Sequence, residues 1–416
     1  MKKKKRNIVW KILLSLFIIL CLLGLIFTRF GGFNTGKSAN VDELKEYAKD
    51  VSELSIPKDV KVVALGEATH GNAEFQELKL DVFKNLVENY GVKAFAIEGD
   101  FSGCEKVNDY IHIGEGTAQE AAASIGFKIY QTDQIVEIIE YMRDYNEKAN
   151  DGEDLRFYGF DMQRYNISFD LIVNIAEKYG VDISEFKTLL NDGKWNETFE
   201  HSVRVEIVNE IKTQLENVGA TDKELHTIDV LLQYLQIQGV KDPNAGMDLR
   251  DALMAENVEW ILNQEQALGN EMIFITGHNS HVAKWGSYDA MGKLLEEKLE
   301  NQYYVIGTDF YKTKCNLPTS SGKRTNQVFY SHNPLAKAAK EAKLDQCYLD
   351  FTSIPEDSEL GNQVREYTFM GNLGEQYSVM MRLLPPSYRM FQPPAQLYDA
   401  MIIVTNATPI EIIAEG

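Results

Sequence analysis

Two apolar segments joined by an amphipathic helix restrict the fold of this chain more than any other feature of its sequence. The segments are Val60–Leu65 and Ala94–Ile97, and the second contains no polar residue. Between them, Glu74–Tyr90 places apolar side chains at helical spacing, and Gly91 stands where a helix would end. Strands covered on both faces carry such apolar runs, so the stretch predicts a strand–helix–strand unit of a parallel sheet.

The same alternation continues along the chain. Further strands are predicted at Leu155–Phe160, Met272–Thr276, Tyr303–Ile306, Cys347–Phe351 and Ala400–Val404. Amphipathic helices are predicted between them, at Cys104–Ile111, Gln131–Asn150, Asp248–Gln266 and Ser331–Leu344. The pattern predicts an α/β fold, a three-layer α/β/α arrangement with a largely parallel central sheet.

Two stretches depart from this alternation. Residues 168–240 contain several amphipathic helices and no strand candidate, which predicts a helical insertion that covers part of the sheet. Residues 315–328 are rich in proline, serine, glycine and lysine, which predicts a loop.

The first thirty residues predict an N-terminal transmembrane helix. A basic cap, Lys2–Arg6, precedes the uncharged run Ile12–Phe27, and extension through Lys11 brings the run to about 20 residues, the length of a membrane span. No small-residue cleavage site follows directly, so we expect an uncleaved signal anchor in the cell membrane. Positive-inside bias then places the rest of the chain outside the cytoplasm. The predicted organisation is therefore an anchor over 1–30, a linker over 31–41 and one domain over 42–416.

The charge distribution restricts the partners. Seven of the 42 basic residues lie in the first 29, and all 62 acidic residues follow the linker's start, so the remainder carries a formal charge of −27. Such a surface argues against nucleic acid as a partner and is consistent with a neutral or cationic small molecule, although solubility alone explains it equally well. Cys104, Cys315 and Cys347 show neither metal nor redox spacing.

Ionisable residues follow the apolar strands. Glu67 and His70 come after the first strand and Glu98 and Asp100 after the second. Ligands bind at the carboxyl edge of open α/β sheets, and a histidine beside a carboxylate can take a proton from water near neutral pH. The alternative is structural: a histidine bonded to backbone and an acid that caps the next helix.

A second group lies later in the chain. His278 and His281 follow the predicted strand Met272–Thr276, Asp161 follows another strand, and Arg250 lies on a helix. Arg250 could pair with a site carboxylate or stabilise an anionic transition state, but a structural ion pair is an equal alternative. The chain lacks a Gly-x-Ser-x-Gly elbow, a phosphate loop and a dinucleotide fingerprint, which favours activated water over a serine nucleophile.

Several motifs occur in order along the chain: GEATHG at 66–71 with Glu74-Phe75 after it, AIEGD at 96–100, FYGFD at 157–161, RDALMAENVEWIL at 250–262, GHNSH at 277–281 and YDAMIIV at 398–404. Together they resemble the erythromycin esterase family over about residues 42 to 410. The resemblance implies a three-layer α/β/α hydrolase that opens the lactone of macrolide antibiotics. It implies His70 as the general base with Glu67 as its partner, and Glu98, His278 and His281 as further catalytic residues. Arg250, Asp161, Asp100 and Glu74 are expected to support the site or bind substrate.

Three functions follow as hypotheses. The leading one is a membrane-anchored hydrolase that uses histidine-activated water to cleave a carboxylic ester or macrolide lactone, with a role in antibiotic resistance and no required cofactor. A second is a metal-dependent hydrolase, because two or three histidines and two glutamates suit a divalent metal such as zinc or manganese. A third is a surface protein that binds haem or metal, because the GEATH opening also resembles haem-binding lipoproteins of the ChaN type.

Overall fold

The structure is a computed structural model that describes residues 2–29, 36–286 and 288–413. Its strands, in chain order, are β1 Val62–Glu67, β2 Ala94–Asp100, β3 Arg156–Asp161, β4 Leu190–Asn191, β5 Lys194–Trp195, β6 Ile273–His278, β7 Tyr303–Pro318, β8 Arg324–Tyr330, β9 Gln346–Asp350, β10 Thr368–Gly371, β11 Arg389–Gln392 and β12 Ala400–Ala407. The central sheet has the order β3-β2-β6-β1-β7-β12-β9, with β8 paired to β7. All pairings from β3 to β12 are parallel, whereas β9 and β8 pair antiparallel.

The helices precede, follow and connect these strands. They are α1 Lys2–Arg29, α2 Val41–Tyr47, α3 Ala73–Tyr90, α4 Phe101–Ile113, α5 Ala118–Ser124, α6 Asp133–Asn146, α7 Asn166–Tyr179, α8 Ser184–Lys187, α9 His201–Asn217, α10 Asp222–Gly239, α11 Pro243–Ala267, α12 Asn279–Val282, α13 Met291–Leu299, α14 Pro334–Glu341, α15 Glu359–Gln363, α16 Met380–Leu383 and α17 Pro394–Leu397.

Alternate residues of the central strands enter two different cores. On β1, Val63 and Leu65 pack with α3 and its neighbours, whereas Val62 and Ala64 pack with α11 and α13 on the other face. Every residue of β1 is buried, as a strand covered on both faces requires. The predicted α/β class with a largely parallel sheet is confirmed.

The predicted helix after the first strand is confirmed as α3. Its apolar stripe includes Phe75, Leu78 and Val82, all buried against the sheet. Gly91 ends the helix in the left-handed conformation, with φ of 69°, and its N–H donates to the carbonyl of Leu86. Glycine adopts this conformation without the steric cost of a side chain, so the sequence marks the helix end correctly.

Helices α7 to α10 form a block with an apolar core of its own, which includes Ile172, Phe186, Ile211 and Leu231. The prediction of no strand in this region was wrong, because β4 and β5 pair as a short antiparallel hairpin. Asp192 and Gly193 form its turn, with φ of 49° and 72°. An Asp-Gly pair is the usual signal of such a tight turn. The boundaries 168–240 stay a prediction.

The loop predicted at 315–328 was also wrong, since most of this stretch belongs to the antiparallel pair β7 and β8. Cys315, Leu317 and Phe329 are buried in the core. The turn residues that suggested a loop occupy only the short connection between the strands, where Gly322 has φ of 78°. Proline at the end of β7 does not prevent pairing there, because Pro318 lies at the last position of the strand.

The single-pass membrane anchor predicted for residues 1–30 was wrong, and the predicted placement of the domain outside the cytoplasm rested on that anchor. Within the described ranges, no helix is both long and apolar enough to cross a membrane. Although α1 has 28 residues, its uncharged run Ile12–Phe27 has 16, and a spanning helix needs about 20. The prediction depended on extending that run through Lys11. In the predicted linker, residues 31–35 lie outside the described residues.

Residue 66, near the end of β1, has to be glycine because Asn279 of α12 lies close to its Cα, and not because the backbone turns there. A Cβ there would lie 2.2 Å from Oδ1 of Asn279. That amide is fixed, because its Nδ2 donates to the carbonyl of Thr308 at 2.8 Å and its Oδ1 accepts from the N–H of Thr308 at 3.2 Å. The absence of a side chain at residue 66 therefore lets α12 lie directly on β1, and α12 carries His281.

We expect Gly66→Ala to lower the free energy of unfolding by about 1–3 kcal/mol, because the new methyl group must displace a bonded amide. The matched control is Gly246→Ala in α11, where the nearest atom to an added Cβ is 3.9 Å away. That change should raise stability by up to about 1 kcal/mol through helix propensity. Urea denaturation of both variants checks the prediction, and equal stability of the two would contradict it.

Candidate active site

The candidate active site lies at the carboxyl ends of four adjacent strands. Glu67, Glu98, Asp161 and His278 lie at or near the last positions of β1, β2, β3 and β6, which are neighbours in the sheet. Glu67 and His278 are direct register partners. Strands run to these residues rather than ending before them, so the ionisable side chains are held by the sheet itself. This edge is where ligands bind in open parallel sheets.

Glu67 binds two cationic side chains at once. Its Oε1 lies 2.7 Å from Nδ1 of His70, and its Oε2 lies 2.6 Å from Nζ of Lys79. Although burial opposes ionisation, Lys79 and His70 lower the pKa of Glu67 to about 2. Burial likewise opposes the charged form of His70, but Glu67 outweighs it and raises the pKa of the imidazole. His70 therefore binds a proton more tightly beside Glu67 than an ordinary imidazole does.

Lys79 was missed from the sequence, although a signal was present. It lies four residues after Phe75 and four before Phe83 in α3, so it shares the buried face of that helix. Its side chain is fully buried. A lysine on an otherwise apolar face requires a buried partner, because an isolated charge there is costly. Glu67 is that partner.

Arg250 of α11 contacts a carboxylate on each of two neighbouring strands, β2 and β3. Its guanidinium bonds Asp161 through Nε at 3.1 Å and Nη2 at 2.7 Å, and Nη2 also lies 2.8 Å from Oε1 of Glu98. Although burial opposes it, His281 and Arg250 hold the pKa of Glu98 well below its ordinary range. The other oxygen of Glu98 accepts the backbone N–H of His278 at 2.9 Å. Glu98 is therefore fixed as a carboxylate.

His281 lies between carboxylates. Its Nδ1 is 2.7 Å from Oδ1 of Asp251, and its Nε2 is 3.5 Å from Oε1 of Glu98. Burial lowers the affinity of the ring for a proton, but Glu98 and Asp251 outweigh it and raise the pKa of His281. Nη1 of Arg250 is 3.4 Å from the same Nε2. Asp251, like Lys79, was not selected from the sequence.

His278 differs from the other two histidines. Burial, together with the neighbouring His70 and His281, lowers its pKa to about 3. Its Nε2 lies 3.1 Å from the carbonyl of Leu373, and its Nδ1 lies 2.6 Å from Oγ of Ser280. The ring is 4.9 Å from that of His70. His278 therefore stays neutral and holds other groups in place.

These groups surround one cavity of about 450 Å³. His70, Glu98, Arg250, His278 and His281 line it together. Its remaining wall is partly aromatic and partly polar and includes Phe127, Ile129, Tyr130, Gln163, Ser280, Asn372, Gly374 and Glu375. The cavity is large enough for a small organic molecule or for one end of a larger one.

Three predicted supporting residues lie outside the cavity wall. Asp161 acts through Arg250, as described. Asp100 caps α4, where its Oδ1 accepts the N–H of Gly103 at 2.6 Å, and burial raises its pKa to about 7. Glu74 accepts hydrogen bonds from the backbone and hydroxyl of Thr408, both at 2.7 Å. The structure thus brings Glu67, His70, Glu98, Arg250, His278 and His281 together, whereas Asp100 and Glu74 bond backbone groups outside the cavity wall.

Across the described ranges, no group of three or more histidine, cysteine, aspartate or glutamate side chains has an arrangement that could hold a metal ion. Glu67, Glu98 and Asp161 instead contact Lys79 and Arg250. The two glutamates of the donor set that suggested a metal from the sequence are thus engaged by cationic side chains.

The arrangement can move a proton. Because Nδ1 of His70 contacts Glu67, its Nε2 is the ring nitrogen left for a molecule in the cavity. The carboxylate orients the ring and stabilises its cationic form. Arg250 and His281 supply cationic hydrogen-bond donors beside it, which suits a reaction in which negative charge develops on an oxygen.

Comparisons with known proteins identify the family of this chain. A model of the erythromycin esterase family matches residues 87–407. The putative hydrolase YbfO of Bacillus subtilis (strain 168) is 24% identical over 326 residues, which cover 67% of this chain and 71% of that protein. Erythromycin esterase type II of Escherichia coli is 25% identical over 382 residues, which cover 78% and 88% respectively.

The fold is also found among solved structures. One match is a mutant of the erythromycin esterase EreC in its open conformation. The TM-score is 0.58 at 15% identity, over 86% of this chain and 93% of that one. At this identity the match concerns the fold. The family model, in contrast, spans well over half of the sequence, from α3 to β12. The chain belongs to the erythromycin esterase family.

Proposed function

We propose that this protein is a hydrolase that cleaves a carboxylic ester or a macrolide lactone with water activated by His70. The contact between Nδ1 of His70 and Glu67, with the ring in the wall of the cavity, carries the proposal. Membership of the erythromycin esterase family supports hydrolysis. The name of the Escherichia coli relative supports a macrolide as substrate, and hydrolysis of its lactone would inactivate the antibiotic.

The reaction begins with neutral His70. Nε2 takes a proton from water as the water oxygen attacks the ester carbonyl carbon, and Glu67 stabilises the resulting imidazolium. The carbonyl oxygen becomes an oxyanion, which we expect Arg250 and His281 to stabilise, since both line the cavity. When the carbon–oxygen bond of the ester breaks, His70 returns its proton to the leaving alkoxide. The products are a carboxylic acid and an alcohol.

Lys79 has a part in this scheme although it does not reach the cavity wall. The lysine keeps Glu67 ionised by its contact at 2.6 Å. An ionised Glu67 raises the pKa of His70, whereas a protonated one would not. Lys79 therefore acts as a positioning residue for the base.

We expect His70→Ala to lower kcat for ester or lactone hydrolysis by roughly 10²–10⁴-fold, the contribution typical of a general base. Chromatography and mass spectrometry of erythromycin, with a chromogenic ester panel beside it, measure the loss. His112→Ala is the matched control, because His112 lies on α4 and bonds Asn108 and Asp154 away from the cavity. Undiminished turnover in the His70 variant, with the fold intact by circular dichroism, would rule out the mechanism.

The pH dependence gives a separate prediction. Since the neutral ring is the active form and its pKa is raised, kcat/KM should fall as the pH drops through a value above the ordinary 6.5 of histidine. Glu67→Gln removes the group that raises this pKa, so the acid limb should move to lower pH. The plateau should also fall by roughly 10²-fold or more, because the imidazolium loses its partner.

Glu375→Gln is the control for this profile. Its carboxylate also raises the pKa of His70, but by less than Glu67 does, and it bonds Arg324 rather than the histidine. The limb should therefore move less than in Glu67→Gln. An acid limb that stays in place when Glu67 is changed would show that another group titrates.

A further inference from the structure

The cavity wall contains two carboxylates in different settings. Glu98 is buried, and its two oxygens bond Arg250 and the N–H of His278. Glu375 follows β10 and is exposed, yet it lines the same cavity as His70. It has no part in the proposed chemistry. Glu375 is therefore the acidic group of the wall that a molecule entering from solvent can contact.

Arg324 of β8 fixes this carboxylate. Its Nη1 bonds Oε1 of Glu375, while its Nε and Nη2 bond the side chain and the carbonyl of Asn316 at 2.6 and 2.9 Å. The contact of Nη2 with Oε2 of Glu375 is long, at 3.4 Å. A carboxylate accepts hydrogen bonds at about four lone-pair sites, so Oε2 keeps sites for a donor in the cavity. Glu375 is thus held in place mainly through one oxygen and can accept through the other.

The negative member of this ion pair is the one in the cavity wall. Glu375 is 38% exposed and lines the cavity, whereas Arg324 is 15% exposed and does not line it. The imidazole of His70 shows the sign of the resulting field. Burial opposes its charged form and Glu67 favours it, and Glu375 raises the pKa of the ring further. A positive charge in the cavity is therefore stabilised by Glu375 although Arg324 is bonded to it.

The strand ends supply charge of the opposite sign. Arg250 and His281 line the cavity as cationic donors, and they bond carboxylates of β2, β3 and α11 rather than Glu375. The cavity thus has cationic groups and an anionic group at separate places in its wall. A substrate with complementary charges is oriented by both.

Aromatic side chains line the same cavity. Phe127 is partly exposed, and its ring is 6.3 Å from that of Tyr130. The faces of such rings attract alkylammonium groups, which surround their charge with an apolar surface. A carboxylate and aromatic rings in one concave wall therefore suit a protonated or quaternary amine.

We propose that Glu375 is the specificity residue of a cation subsite, which selects esters that carry an alkylammonium group. The inference rests on the proposed function for the ester and adds the class of ester. The carbonyl oxygen of such a substrate meets Arg250 and His281, while its ammonium group lies against Glu375. The alternative is that the Glu375–Arg324 pair only ties the β7–β8 hairpin to the wall.

The test compares esters of one acid with two alcohols of the same shape. Choline carries a permanent positive charge, and 3,3-dimethylbutanol has carbon in place of its nitrogen. The wild type should favour the choline ester in kcat/KM, and Glu375→Gln should reduce that preference roughly fivefold, the effect of one partly exposed ion pair. Glutamine keeps an oxygen for Arg324, so the change removes the charge and retains the contact. A purely structural pair would instead affect both esters alike.

A charge reversal and a matched control sharpen the test. Glu375→Lys should favour the neutral ester over the choline ester. Glu356→Gln should preserve the wild-type preference, because Glu356 is also an exposed glutamate bonded by an arginine, Arg365 at 3.1 Å, but it lines a different cavity. The wild-type preference should also shrink as salt is raised to roughly 1 M, since exposed charges are screened.

Erythromycin, whose dimethylamino group is protonated at neutral pH, and its uncharged N-oxide form a second pair of probes. If the wild type hydrolyses none of the four probes, the proposed function fails, and calorimetric binding of erythromycin against the N-oxide then tests the subsite alone. Binding should favour erythromycin in the wild type and lose that preference in Glu375→Gln. Failure of the wild type to distinguish the members of a pair, or an unchanged preference in Glu375→Gln, would overturn the inference.

Discussion

The shared carboxylate of Glu67 is the interaction on which the site depends. One oxygen bonds His70 at the end of β1 and the other bonds Lys79 inside α3, so a single side chain ties the strand to the helix that covers it. All three groups are buried, and removal of one partner from such a set typically costs about 3–5 kcal/mol. The position of the proposed base is therefore coupled to the packing of the first strand–helix unit.

The three histidines form a row in which the pKa is raised at both ends and lowered in the middle. His70 and His281 each bond a carboxylate that favours the protonated ring, whereas His278 between them bonds a carbonyl and a hydroxyl. Like charges at such separations are unfavourable in a buried site, so a neutral ring in the middle is the stable arrangement. The central histidine can then serve as a rigid spacer. Two similar sequence positions, His278 and His281, thus acquire different roles from their partners alone.

Much of this could be predicted from the sequence because the signals are local. Apolar runs with an acid or histidine at their end identified four strands, and the shared edge of a parallel sheet brought Glu67, Glu98 and His278 together. Lys79 and Asp251 could not be selected in the same way, because their partners lie on other elements and only the fold shows the distances. Asp100 had the same sequence context as Glu98, yet it caps a helix. Position after a strand identifies an edge, but the direction of each side chain decides its role.

The remaining errors arose where one sequence pattern is compatible with two different structures. The turn residues between β7 and β8 resemble a long loop until the buried Cys315 and Phe329 on either side are considered. At the N-terminus, the uncharged run is close to the length of a membrane span, yet no helix among the described residues is long and apolar enough to cross a membrane. In both cases the prediction gave more weight to the residue types in the stretch than to the place of each residue along it.

The cavity wall and the reactive groups come from different parts of the chain. The groups at the strand ends are held by the core of the sheet, but much of the wall belongs to residues 127–130 and 372–375, which lie outside the central strands. Glu375 is fixed from outside the sheet core as well, by Arg324 of the β7–β8 hairpin. Leu373 and Tyr130 tie these segments to the strand ends, through His278 and the carbonyl of Glu98. Exchange of single wall side chains such as Phe127 or Glu375 would therefore disturb the strand ends less than exchange of a whole segment. Substitutions in the cavity wall can therefore change which molecules enter the cavity while the groups at the strand ends stay the same. Descendants of one ancestor can then differ in substrate before they differ in reaction.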